Sequence, residues 1–220
     1  MDFLNSLLAF QLEELPYVIV VLMIAFTIHE FAHAFVAYKF GDPTAKNQGR
    51  LTLNPAQHID PIGALFLLIA GFGWARPVPV NRYHFKNPRL AGVLVSLAGP
   101  VSNLLLAIIG FAVVYGTAAA GITDLPFYVS DFLRYLISIN ILLFVFNLLP
   151  LPPLDGYRII EDLAPTNIRA KMTQYEQYGT LIFLILVITP LDQYTIQPIF
   201  QTVIPNVFSM LDTLFYHLFF

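Results

Sequence analysis

Residues 25–35 read A-F-T-I-H-E-F-A-H-A-F, and three of their side chains can ionise inside an otherwise apolar run. His29 and His33 are four apart, so a helix places both imidazoles on one face. Two imidazoles so placed can ligate one ion, and Glu30 stands near enough to hold a water beside it. H-E-x-x-H is the zinc metalloprotease signature, two ligands and a general base. The base takes a proton from water that the metal has acidified, and the metal polarises the scissile carbonyl. Helix histidines satisfied by neighbours without metal are the plainer alternative. Against it, a charged Glu at mid-depth of a bilayer costs at least ~2–3 kcal/mol without a partner or a wet cavity.

Catalytic zinc usually takes three protein ligands and a water, so two histidines leave the site incomplete. The candidates elsewhere are His58, Asp60, His84, Asp155, Glu161, Asp162 and His217. Asp155 stands out. It ends the run F-N-L-L-P-L-P-P-L-D at 146–155, whose prolines disrupt a helix at membrane depth. Such a break needs a protected or wet surrounding, and an aspartate placed by it can point inward. His58-x-Asp60 is a rival pair, read here as structural or loop-capping. His84 and His217 have no partner that the sequence names.

The elements that must position these residues are membrane helices. Of the 220 residues, 57% are hydrophobic and only 11% charged, with a mean hydropathy of +0.70. A soluble domain carries about a quarter charged residues. The length suits one integral membrane domain over 1–220, with a core at 16–160 and C-terminal helices within 172–220. The net charge of -3, without a basic cluster, excludes a nucleic-acid partner. The absence of cysteine excludes disulfides, thiolate metal sites and thiol catalysis. Met1-Asp2-Phe3 lacks the basic start of a signal peptide, and residues 3–15 suit a short interfacial helix or an unstructured lead-in.

Three spans are predicted at about 16–40, 90–116 and 131–150, each long enough for a bilayer. Residues 61–75 are too short to cross and read as a re-entrant or interfacial element. Apolar runs at 178–190 and 206–220 follow, and length leaves open whether the last one spans. All eleven Lys and Arg except Arg134 fall on one side if 61–75 does not cross. The positive-inside rule makes that side cytoplasmic and puts the N-terminus outside. The first and third spans then run in the same direction and bring His33 and Asp155 to the same face.

At these residues the sequence resembles the site-2 protease family of intramembrane zinc metalloproteases. The resemblance rests on H-E-F-A-H at 29–33, G-R-L-T-L-N-P at 49–55 and H-I-D-P-I-G at 58–63. A-G-P-V-S-N at 98–103 and N-L-L-P-L-P-P-L-D-G at 147–156 complete it. Together these cover most of 16–160, and the ordered set is far more specific than any one piece. No insert the size of a small domain interrupts the spans, so the chain looks like the compact branch that lacks a PDZ domain. The resemblance implies an all-α polytopic fold with a three-helix catalytic core, a re-entrant segment and one or two further C-terminal helices. It implies one Zn2+ held by His29, His33 and Asp155, with Glu30 as acid and base. Asn147 and Asn103 match supporting or substrate-holding positions, and Gly71-Phe72-Gly73 resembles a re-entrant hairpin that meets substrate in extended form. Tyr157 departs from the second glycine that many members carry after Asp-Gly.

The activity so implied is zinc-dependent cleavage of transmembrane protein substrates within the lipid bilayer. Two rivals from other classes are a metal-ion transporter and a catalytically inactive scaffold. A transporter would spread its ionisable residues over both halves of the bilayer, whereas here they collect toward one face. An intact ligand set speaks against a scaffold. Ser96 and Ser102 form no G-x-S-x-G, which argues against a serine nucleophile. Substrate identity and oligomeric state are not written in the sequence.

Overall fold

The structure, a computed structural model, describes residues 11–70, 73–122 and 124–220. Among these are ten α-helices and a single isolated β-bridge. Among the described residues, three helices are long and apolar enough to cross a membrane. α1 is Leu15–Lys39, with Pro16 in its first turn, where a missing N–H is harmless. Two short connecting helices follow, α2 at Thr44–Asn47 and α3 at Pro61–Ala70. α4 is Pro88–Ala119, started by Pro88 and by the Asn87 side chain, which accepts from the Leu90 N–H. α5 is Phe127–Asn147. It begins about four and ends about three residues before the predicted span, because Pro126 precedes its first turn and the leucine–proline run unwinds the chain after Asn147.

These three helices pack on one another. Val18, Val21 and Leu22 of α1 interlock with Leu133, Leu136 and Ile139 of α5. Ala107 and Phe111 of α4 meet Ile137 and Ile141 of α5 in a second cluster. With little hydrophobic force between helices in lipid, close packing of this kind holds them together.

α3 has ten residues, or about 15 Å of helix, half of a ~30 Å hydrocarbon core. Asp60 caps it, its carboxylate accepting from the Ile62 and Gly63 N–H groups. An antiparallel bridge joins Ile59 to Ala75, and the Arg76 N–H donates to the His58 carbonyl at 2.7 Å. The segment therefore enters and returns at one place, as a re-entrant element must. Residues 76–81 leave it without regular helix or strand. Gly71 and Phe72 of the expected hairpin, and residues 3–10 of the expected lead-in helix, lie outside the described residues.

After α5 come α6 at Asp155–Leu163, α7 at Thr166–Glu176, α8 at Gly179–Ile188 and α9 at Asp192–Thr195. α10, Gln197–Phe219, is longer than the apolar run at 206–220, because Pro205 lies inside it. Its 23 residues extend for about 34 Å. It runs alongside α4 in the same direction, with Phe208 and Phe215 against Phe111 and with Asp212 accepting from the Tyr115 hydroxyl at 2.7 Å.

Candidate metal centre

α1 carries His29 and His33 one turn apart, about 15 and 9 Å before its C-terminal end. Both are buried, as is Glu30 between them. α6 begins at Asp155, where the leucine–proline run after α5 turns back toward α1. The Nε2 atoms of His29 and His33 are 3.0 Å apart. Asp155 Oδ2 lies 3.2 Å from the first and 3.3 Å from the second. A tetrahedral zinc with bonds of about 2.0–2.1 Å sets its ligand atoms about 3.3–3.4 Å apart.

The protons on this cluster follow from its outer contacts. His33 Nδ1 lies 2.7 Å from the Val95 carbonyl, which can only accept. His33 therefore carries a proton on Nδ1 and, when neutral, a bare lone pair on Nε2. The His29 side is fixed by a longer chain. Asn140 Nδ2 donates to the Leu136 carbonyl at 2.8 Å, so its Oδ1 is the atom that accepts from Asn103 Nδ2 at 3.0 Å. Asn103 Oδ1 is left to accept from His29 Nδ1 at 2.7 Å. Two imidazole lone pairs and one carboxylate oxygen then face one another without a hydrogen between them. A divalent cation resolves that arrangement, and outer partners of this type are what orient metal-binding histidines.

Gly99 of α4 lets the cluster form. A Cβ there would lie 2.3 Å from His33 Nε2 and 2.6 Å from His29 Nε2. Only a residue without a side chain leaves that volume for the histidines and an ion.

The cluster opens on a cavity of about 420 Å³, lined by Phe26, Trp74, Val80, Leu143 and Phe146 among others. Glu30 reaches the same cavity, and its Oε2 accepts from the Val78 N–H at 2.8 Å. Asn147 and Gly73 also line it. The Asn147 Nδ2 donates to the Leu143 carbonyl at 2.9 Å, which leaves a second N–H and the amide oxygen for other partners. Asn103 stands behind His29, fully buried, and does not line the cavity.

The remaining acid and base candidates lie elsewhere. His58 is fully buried, with Nε2 2.8 Å from the Thr52 carbonyl. His84, for which the sequence named no partner, pairs with Asp42 at 2.9 Å. Glu161 and Asp162 are buried in a charged cluster with Arg82, Arg158 and Arg169. Burial pushes the Asp162 carboxyl up, against the pull of Arg82 and Arg169. The cluster fastens α6, and so Asp155, to the chain just before α4. Tyr157 takes part in the same region, its hydroxyl donating to the Met172 carbonyl at 2.8 Å.

Asn140 and the Val95 carbonyl belong to no motif. For Asn140 a signal existed: one amide within I-S-I-N-I-L-L needs a partner in lipid. The Val95 carbonyl leaves no trace in side-chain sequence.

Comparison with known proteins bears on the family of the chain. The model of Peptidase family M50 matches residues 122–190, the part that holds Asn147 and Asp155. YwhC of Bacillus subtilis, named as a zinc metalloprotease, is 54% identical over 215 residues, covering 96% of this chain and 98% of that protein. Rip2 of Mycolicibacterium smegmatis, named likewise, is 32% identical over 173 residues, or 76% of this chain and 65% of its own length. Rip2 of Mycobacterium tuberculosis gives 32% over 182 residues with the same coverage. No solved structure matches the chain. With the greater part of its length shared with YwhC, the chain belongs to peptidase family M50, the site-2 protease family, and is a multi-pass membrane zinc metalloprotease.

Proposed function

We propose that this metalloprotease cuts peptide bonds in or near the transmembrane segments of other membrane proteins, in regulated intramembrane proteolysis. One zinc per chain is held by His29, His33 and Asp155, and Glu30 is the acid and base. The observation that carries this reading is the meeting of three lone-pair donors within 3.3 Å beside a buried carboxylate, with both histidines and that carboxylate on a helix long enough to span a bilayer.

Zinc, when bound, acidifies a water and polarises the scissile carbonyl. Glu30 keeps one oxygen on the Val78 amide and has the other for the attacking water. It takes the water's proton and returns it to the leaving amine. Asn147, on the cavity wall, has an N–H left to hold a substrate carbonyl.

A substrate helix has its carbonyls already bonded, so it must unwind before cleavage. Extended chain then adds along the edge that follows the re-entrant element. The 76–78 stretch has little to offer such a strand. Pro77 has no N–H, the Val78 N–H is on Glu30, and the Arg76 and Pro77 carbonyls are on Arg50. Residues 73–75, which line the cavity, are better placed to receive it. By the distribution of Lys and Arg, the site opens toward the cytoplasm and the N-terminus lies outside.

The direct test is Glu30→Gln, purified in detergent and offered candidate transmembrane substrates. Loss of cleavage by at least 10³-fold with zinc retained is expected for loss of the base together with its placed water. Cleavage at the wild-type rate removes Glu30 from that role.

A further inference from the structure

The run A-R-P-V-P-V at 75–80 has prolines on both sides of Val78. They leave the Val78 N–H as the only backbone donor of residues 77–79, and that donor is on Glu30. The carbonyl of the same peptide unit, that of Pro77, accepts from Arg50 Nη1 at 3.3 Å. Arg50 Nη2 donates to the preceding carbonyl, that of Arg76, at 2.6 Å. A peptide unit is planar, with its C=O and N–H pointing in opposite directions. Fixing the carbonyl therefore fixes the direction of the N–H.

We infer that Arg50 is a positioning residue for the general base: its guanidinium clamps the 77–78 peptide plane so that the Val78 N–H holds Glu30 in its working rotamer. The inference rests on Glu30 being the base.

Three features favour this over a role in loop packing alone. Arg50 is 5% exposed, and a buried guanidinium is costly unless hydrogen bonds meet its charge, which here come from the Arg76 and Pro77 carbonyls. Its charged donors pull on the Pro77 carbonyl, and hydrogen bonds in series strengthen one another, so the Val78 N–H becomes a better donor to the carboxylate. Its planar fork spans two successive carbonyls, which a lysine ammonium does not do at fixed geometry. Burial and the neighbouring Arg76 disfavour the charge of Arg50 more than the nearby Glu30 carboxylate favours it.

The G-R-L-T-L-N-P run at 49–55 serves this segment at a second point. Asn54, from that run, caps the turn that leads to His58, and the His58 carbonyl receives the Arg76 N–H. That bond tethers the segment independently of Arg50 and serves as an internal control.

The test uses Arg50→Gln and Arg50→Lys in full-length protein in detergent. Three quantities are measured: zinc content, steady-state cleavage of fluorescein-labelled casein, and amide hydrogen exchange resolved at Val78 and Arg76. Arg50→Gln is expected to keep its zinc and to lose at least tenfold in kcat with KM within about twofold. Val78 should exchange at least tenfold faster while Arg76 is unchanged. Arg50→Lys should fall between, and it carries the test if the glutamine variant does not fold. Wild-type exchange at Val78, or equal acceleration at Val78 and Arg76, overturns the clamp whatever casein shows. Glu30→Ala separates the two readings. It should accelerate Val78 exchange even if Glu30 proves not to be the base.

Discussion

At the scale of single residues, the site depends as much on what is absent as on what is present. Gly99→Ala introduces one methyl group, 2.3 Å from His33 Nε2. The histidine must move or the ion must leave, because overpacking in a close-packed site is not absorbed. Zinc affinity is expected to fall by at least tenfold, and cleavage with it, while the helical circular dichroism stays at the wild-type level. A zinc titration by competition with a chromophoric chelator measures this, and unchanged affinity contradicts the close approach. The motif residues His29, Glu30, His33 and Asp155 were legible in sequence because each is chemically out of place in an apolar chain. Gly99 was legible only as part of A-G-P-V-S-N, with no role attached. Asn140 and Arg50 owe their importance to partners far away in the chain, which one sequence does not display.

At the scale of elements, the membrane helices were legible to within a few residues, since long apolar runs admit little else in lipid. The connections were not. Asp42, in the turn after α1, is fully buried and organises two of them. Its carboxylate accepts from the Thr44 hydroxyl at 2.5 Å, the Thr44 N–H at 3.0 Å, the Asn81 N–H at 2.7 Å and His84 at 2.9 Å. Burial acts to raise the Asp42 carboxyl, and these hydrogen bonds outweigh it and hold it below the usual carboxylate range. A lowered folded-state value means that its contribution to stability is complete above the unfolded value of about 3.9 and is lost as pH falls. The difference in thermal midpoint between wild type and Asp42→Asn is therefore expected to be largest above about pH 5 and to shrink below about pH 4. Using the difference removes the loss of zinc at low pH, which both proteins share. A difference that grows on acidification contradicts the assignment.

At the scale of the whole molecule, the arrangement turns on α3 not crossing. The Ile59–Ala75 bridge returns the chain to its point of entry, so α1 and α5 run in the same direction and Asp155 meets the histidines. The positive-inside rule, applied to the charge asymmetry of the sequence, leads one to expect the same path. The course of α10 was not legible, because Pro205 interrupts the apolar pattern without ending the helix. The chain contains no cysteine, so single-cysteine variants report topology without background. Lys46→Cys and Lys86→Cys, on either side of α3, are expected to react with a membrane-impermeant maleimide from the cytoplasmic side only. Labelling of the two from opposite sides contradicts the re-entrant path.

The convergence of the two ends of this fold is tested most directly by metal content. Purified wild-type protein is expected to hold about one zinc per chain, as one closed set of three ligands implies. Asp155→Ala, purified in the same way and shown to be folded, is expected to hold well under half of that. Stoichiometric zinc in Asp155→Ala would mean that Asp155 is not a ligand and that the joining of α1 to α6 through the metal is wrong.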